Sequence, residues 1–368
     1  MWGQATGAPP GGRTHGSRQR PFYPGYHYHE TLSQLGAHPG VAEDTVELAA
    51  GDERLPALVY RPAGRRARGT ILVVSGMSVH GHRDARLTAI GRAFASVGFV
   101  TVLPQYSDIE NFRITAKTID SIAATIRAVA GDPLLGSDGK VSLFSPSFSA
   151  AMCIIAAARP DTTKLTAAVC SIGTFGNVDT VIRFLLERQD ADEYGRMIVL
   201  RNFLHLSIGS NPGVEKALEI CYLDNGFHRA EPELPAYLES LPAADRQVFT
   251  RLRNDPSFRV GHWERILNAG GKMRSLIDDL SVVHRLSSLR TPVALIHGAD
   301  DSVIPPSESV MIYQELLRLG IPCRLVLTSL ITHGDTAIGI ASLLELFRLA
   351  RVFAFFLRNA ERPIPQHR

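Results

Sequence analysis

A serine that attacks a carbonyl carbon needs a base to take its proton and an acid to hold that base, and three residues of this chain stand where such a set would be assembled. Ser147 lies in Leu143-Phe144-Ser145-Pro146-Ser147-Phe148-Ser149-Ala150-Ala151, directly after one apolar run and directly before another. A serine placed there sits on a sharp strand-to-helix turn, its hydroxyl raised above a sheet and a helix N-terminus beneath it. The competing role for Ser145, Pro146, Ser147 and Ser149 is to stop a strand and cap the next helix. Partners decide between the two. After the apolar run at 292–296 comes His297-Gly298-Ala299-Asp300-Asp301-Ser302-Val303-Ile304-Pro305, an acidic turn presenting Asp301. After the following run comes Ser329-Leu330-Ile331-Thr332-His333-Gly334-Asp335, which places His333 in the next loop. In such a set Ser147 attacks, His333 takes and returns the proton, and Asp301 orients the imidazole and stabilises its charge. A solvated or helix-capping carboxylate is the alternative for Asp301, and a loop histidine without chemistry the alternative for His333.

Acyl transfer also requires donors for the negative oxygen of the tetrahedral intermediate. The backbone N–H of Phe148, next after the serine, supplies one. Ser75-Gly76-Met77-Ser78 follows the first long apolar strand, and Gly76 lets the chain turn so that the N–H of Met77 supplies the other. His80 and His82 share that loop without a ligand set and are read as loop residues within reach of substrate.

These residues must be carried by elements that end close together. Segments 70–75, 99–103, 140–144, 165–170, 292–296 and 323–327 are short apolar runs that predict strands, and 85–97, 114–129, 149–158, 307–319 and 337–357 predict helices between or after them. A strand pair is expected earlier, over 45–48 and 56–60 around Gly51-Asp52-Glu53. Strands alternating with longer helices indicate a mostly parallel sheet flanked by helices on both faces, with ligands beyond the C-terminal strand ends. The rhythm stops after Ser171-Ile172-Gly173 and resumes near 292, the interval offering helical stretches at 178–189, 194–206, 213–222 and 274–286. The expected organisation is a flexible segment over 1–40, a core over 41–176 and 287–368, and a helical lid insertion over 177–286. Within the insertion Phe203, Leu204 and Trp263 line substrate or, as apolar helix residues more often do, pack internally.

The chain resembles the α/β-hydrolase superfamily over roughly residues 45–360. Ser75-Gly76-Met77 looks like the superfamily's His-Gly-x oxyanion loop, departing at Ser75. Ser145-Pro146-Ser147-Phe148-Ser149 looks like its G-x-S-x-G nucleophile elbow, departing at both glycines, where serine is the small residue instead. Gly298 to Pro305 is similar to its G-x-x-D-x-x-V-P acid loop, which selects Asp301 over Asp300, and Thr332-His333-Gly334 looks like its histidine loop. The resemblance implies an α/β-hydrolase fold and a serine hydrolase of the carboxylesterase kind, acting on a small-molecule ester or other acyl substrate. It equally admits thioesterases and peptidases, for which Glu231 and Glu233 are the acid pair to examine, and non-catalytic ligand- or partner-binding relatives.

Composition excludes several other classes. With 39 Lys and Arg against 36 Asp and Glu, the basic excess is too small and scattered for a nucleic-acid surface. Cys153, Cys170, Cys221 and Cys323 lack metal-ligand or redox spacing and read as buried small apolar residues. No cofactor and no metal site is expected; His27 and His29 have no third ligand nearby. Without a transmembrane segment or secretion signal, the cytoplasm is the default compartment. Oligomeric state is left open.

Overall fold

The computed structural model describes residues 40–135, 139–227, 231–331 and 340–361. Two antiparallel strands, β1 (Val41–Ala50) and β2 (Glu53–Pro62), open it, paired from Val41 opposite Pro62 to Ala50 opposite Glu53. This hairpin is longer than its apolar residues suggest, because the ladder continues through polar positions of β1 that face outward. Gly51 makes the turn at φ 66°.

Six further strands follow: β3 (Thr70–Val73), β4 (Val100–Pro104), β5 (Val141–Pro146), β6 (Thr166–Ile172), β7 (Val293–Gly298) and β8 (Cys323–Thr328). The sheet order is β1-β2-β4-β3-β5-β6-β7-β8, with β2 antiparallel to β4 and every later neighbour pair parallel. β3, β4 and β7 are buried throughout, so they read as continuous apolar runs.

Alternate residues of each strand feed two cores. Leu72, Leu143, Val169 and Leu295 face one side, where α2 (Lys117–Gly131) and α3 (Phe148–Ala157) pack. Ile71, Val73, Phe144, Cys170 and Ile296 face the other, against Phe94 of α1 (Ala85–Ser96) and Phe356 of the C-terminal helix Ile340–Ala360. All four cysteines are buried and unpaired.

Between β6 and β7 the described residues contain no strand. They form α4 (Val178–Glu187), α5 (Glu193–Phe203), α6 (Pro212–Phe227), α7 (Leu234–Ser240), α8 (Ala243–Asn254), α9 (Pro256–Asn268) and α10 (Gly271–Leu280). Helices α7 to α9 are additions to the stretches expected from apolar spacing. α9 carries a start signal all the same: Pro256 opens it and Asp255 Oδ1 accepts from the N–H of Phe258 at 3.0 Å. Helix α11 (Ser307–Arg318) lies between β7 and β8, and α12 (Ile340–Ala360) follows β8.

Two buried arginines hold the insertion together by satisfying carbonyls at helix ends and in the connection that follows α4, groups that otherwise lack an intrahelical partner. Arg196 donates to the carbonyls of Leu185, Arg188 and Ala191, and Arg259 to those of Leu186 and Leu252. Burial lowers the pKa of both, that of Arg259 to about 10. The insertion's two necks are tied to each other: the N–H of Val283 donates to Gly176 O at 3.1 Å and that of Val178 to Ser281 Oγ at 3.2 Å. Glu308, at the start of α11, accepts from the N–H groups of Gly176 and Asn177 at 2.9 and 3.0 Å.

Phe203, Leu204 and Trp263 pack inside this insertion, with the Phe203 and Trp263 rings 5.7 Å apart and Trp263 Nε1 donating to Asp179 at 2.8 Å. His262 shares this interior, its Nδ1 2.8 Å from Ser207 Oγ. Burial, then the charges of Arg265 and Arg251, lower its pKa from 6.5 to about 4. The native state therefore keeps His262 neutral where the unfolded chain protonates it, so its contribution is present above pH 6.5 and is lost as pH falls toward about 4. Urea unfolding should show a midpoint that drops across that window in the wild type and drops less in His262→Gln. An identical pH dependence in both would remove His262 as a source of acid sensitivity.

Candidate active site

β5 ends at Pro146, and the next residue turns the chain into α3 within a single step. Ser147 takes φ 60° and ψ −141°, a region that residues with a side chain rarely occupy and that costs on the order of 1–3 kcal/mol. The neighbouring strand holds it there: the N–H of Ser147 donates to Ile172 O at 2.7 Å, while Ser147 O accepts from the N–H of Ala150 at 2.9 Å. The side chain makes no capping hydrogen bond to α3. A helix-capping serine has an extended backbone and uses its hydroxyl on the helix; Ser147 does neither.

The residues that replace the elbow glycines, Ser145 and Ser149, are both fully buried. Among the described residues, neither Ser145 Oγ nor Ser149 Oγ has a hydrogen-bond partner. Serine is accommodated at both positions without opening the turn.

The loop after β3 lies against the elbow. A Cβ on Gly76 would stand 3.6 Å from Ser147 Cβ and 3.5 Å from Pro146 O, so a single methyl group would span the space between the two turns. This brings the backbone at Met77 to the same strand-end region as Ser147 and Phe148. The side chain of Phe148 is buried, its ring 5.9 Å from that of Phe175. His82 does not face outward: it is 4% exposed and its Nδ1 lies 3.1 Å from Glu110 Oε1, so it secures the loop.

Asp301 follows β7. Its Oδ1 accepts from the N–H groups of Val303 and Ile304, both at 2.9 Å, while Oδ2 lies about 3.4 Å from where a Cβ on Gly173 would be. One oxygen fixes the loop and the other points toward the end of β6. Asp300 is exposed. His333 lies outside the described residues; the chain leads toward it through β8 and the helical turn Ser329–Ile331.

Sequence reasoning missed a second histidine beside Asp301. His297, at the end of β7 and fully buried, has Nδ1 2.6 Å from Ser309 Oγ, Nε2 2.9 Å from Ile304 O and the same nitrogen 3.6 Å from Asp301 Oδ2. Serine, histidine and aspartate thus meet here, but Ser309 is fully buried on α11. Nε2 donates to the Ile304 carbonyl, and Nδ1 accepts from Ser309. Burial lowers the His297 pKa, which keeps the ring neutral in this arrangement. The trio braces the acid loop from beneath. The only sequence signal for it was a histidine ending an apolar strand.

The insertion reaches this region through α5. Tyr194 Oη donates to Met77 O at 2.9 Å, and the N–H of Asp192 donates to Ser302 O at 2.9 Å. Burial raises the Asp192 carboxyl above the usual range, and nearby Asp301 adds to the shift. Glu231 and Glu233 are exposed ahead of α7. Among the described residues, no group of three His, Cys, Asp or Glu side chains is placed to hold a metal ion, and no helix is long and apolar enough to cross a membrane.

No family model matches the sequence, and no curated protein matches it. Solved structures do match. An acylaminoacyl peptidase in complex with Z-Gly-Gly-Phe-chloromethyl ketone aligns at TM-score 0.51 and 13% identity, over 90% of this chain and 44% of that one. The Pyrococcus horikoshii acylaminoacyl peptidase in its orthorhombic crystal form aligns at TM-score 0.51 and 14% identity, over 93% of this chain and 45% of that one. The chain spans less than half the length of these peptidases, and at such identity the likeness concerns architecture. Strand order, the turn at Ser147 and these alignments agree that the chain has the α/β-hydrolase fold.

Proposed function

We propose that the chain is a serine hydrolase that cleaves a carboxylic ester through an acyl-enzyme on Ser147. The observation that carries this reading is the backbone of Ser147, held at φ 60° with its hydroxyl unused by the helix it precedes. Such strain is retained where a side chain must project from a turn.

In this reading Ser147 Oγ attacks the ester carbonyl as His333 takes its proton. The carbonyl oxygen becomes an oxyanion held by the N–H groups of Met77 and Phe148. Collapse of the intermediate expels the alcohol, which receives the proton from His333. Water then repeats the sequence on the acyl-enzyme, releasing the acid and restoring Ser147. Asp301, with Oδ1 fixed by two N–H groups, offers Oδ2 to orient His333. The same parts serve a thioester or an amide; an ester makes the smallest demand because an alkoxide needs less protonation on leaving than an amine. The helical insertion acts as the lid over a small or medium acyl group.

A fluorophosphonate probe tests the core of this reading. Wild-type protein should be labelled and Ser147→Ala should not; folded wild-type protein that neither reacts nor turns over esters would sink it. His333→Ala should lower ester turnover at least ~100-fold, the usual scale for loss of general-base catalysis. Unchanged turnover would take His333 out of the mechanism.

A further inference from the structure

One helix of the insertion touches three of the loops that end the sheet's strands. Through Tyr194, α5 reaches the loop after β3, where the phenol donates to Met77 O at 2.9 Å. Near its C-terminal end Asn202 binds the loop after β4, donating to Phe112 O at 2.8 Å and accepting from the N–H of Ile114 at 2.9 Å. At its start, besides the bond from Asp192 to Ser302, a Cβ on Gly195 would stand 3.0 Å from Val303 Cγ1, so the helix is seated directly on the acid loop. The Tyr194 ring is itself placed by an edge contact with Phe112, centroids 6.0 Å apart at 84°.

The bond to Met77 matters because of where that residue stands. Gly76 precedes it without a side chain to anchor the turn, and a Cβ added there would just reach the Ser147 elbow, 3.6 Å from Ser147 Cβ. Fixing the Met77 carbonyl restricts rotation of the peptide plane that follows Met77. The Met77 N–H belongs to the preceding peptide plane, so the tyrosine acts on it through the φ and ψ of Met77, by holding this residue of the loop in place.

We infer that Tyr194 is a positioning residue that holds the oxyanion loop from the insertion, so that the donor at Met77 is aimed only while α5 is seated on the strand ends. This rests on the serine-hydrolase reading of Ser147 and Met77. The tyrosine touches no reacting atom; it acts through the backbone of Met77.

The test is Tyr194→Phe, which removes one oxygen and keeps the ring contact with Phe112. On an ester substrate, kcat should fall about 10-fold, less than the 10²–10³ typical for deleting an oxyanion donor outright, while KM stays within about twofold. Affinity for phenylboronic acid, which bonds Ser147 Oγ to boron and presents an anionic oxygen to the same donors, should fall by the same factor. Amide hydrogen exchange in residues 77–81 should quicken, with thermal unfolding little changed. Equal kcat and equal boronate affinity in the two proteins would overturn the inference. A fall in both that simply tracks a lower melting temperature would overturn it as well, since a merely structural tyrosine behaves that way. The underlying reading fails by a different sign: a wild type that neither takes up fluorophosphonate nor loses turnover in Ser147→Ala.

Discussion

Ser147→Ala is expected to lower ester turnover by at least ~10⁴-fold, because removal of the nucleophile leaves only binding and oxyanion stabilisation. The substitution deletes a single oxygen that makes no capping bond to the helix it precedes. The native fold should therefore survive, and alanine meets the same backbone strain at φ 60° as serine does. Steady-state turnover together with thermal unfolding checks both halves. Activity retained above about one hundredth of wild type, in protein of unchanged stability, would mean that another residue attacks. Ser309 is the serine to exclude alongside it, because its hydroxyl lies 2.6 Å from Nδ1 of His297, which neighbours Asp301. Its complete burial predicts that Ser309→Ala leaves fluorophosphonate labelling intact.

The second large effect is expected at Asp301. Asp301→Asn preserves the size of the side chain and leaves one oxygen able to accept from Val303 and Ile304, so the loop should keep its shape. What changes, in the proposed triad, is the atom offered to His333. An amide nitrogen there favours the wrong imidazole tautomer and offers no charge to the imidazolium, a change that costs on the order of 10³–10⁴ in kcat where the arrangement is a triad. Asp300→Asn, on an exposed side chain one residue earlier, should stay within about twofold. Comparing kcat for the two variants decides which acid serves; the reverse ranking would shift the acid by one position.

Much of the architecture was legible because a sheet buried on both faces writes itself as apolar runs. The strands at 70–73, 100–104 and 293–298 differ from their sequence reading by no more than a few residues. The turn at Asp301 was legible for a local reason, since the N–H groups that its Oδ1 accepts from belong to residues two and three positions later. Contacts between distant segments left no such trace. Tyr194 meets Met77 across more than a hundred residues, and nothing in either local sequence announces the other. His297 looked like the end of a strand because its partners, Ile304 and Ser309, come from a turn and from inside a helix. The middle helices of the insertion were hidden for another reason: α8 is largely polar and exposed, so apolar spacing marks it weakly.

The pairing of β6 with β7 sets Cys170 beside Ala294 and Ile172 beside Ile296, although the whole insertion lies between them in the chain. Closing so long an excursion costs little more than closing a short one, since the entropy grows only with the logarithm of length. The cost falls on timing instead. During synthesis from the N-terminus, the elbow strand and the strand that restrains Ser147 emerge first, and β6 then waits as an open edge until the helices are made. The acid and the histidine come last. A ribosome-bound chain halted before β7 would hold the serine without the two groups proposed to activate it, so under that proposal reactivity arrives with completion of the sheet.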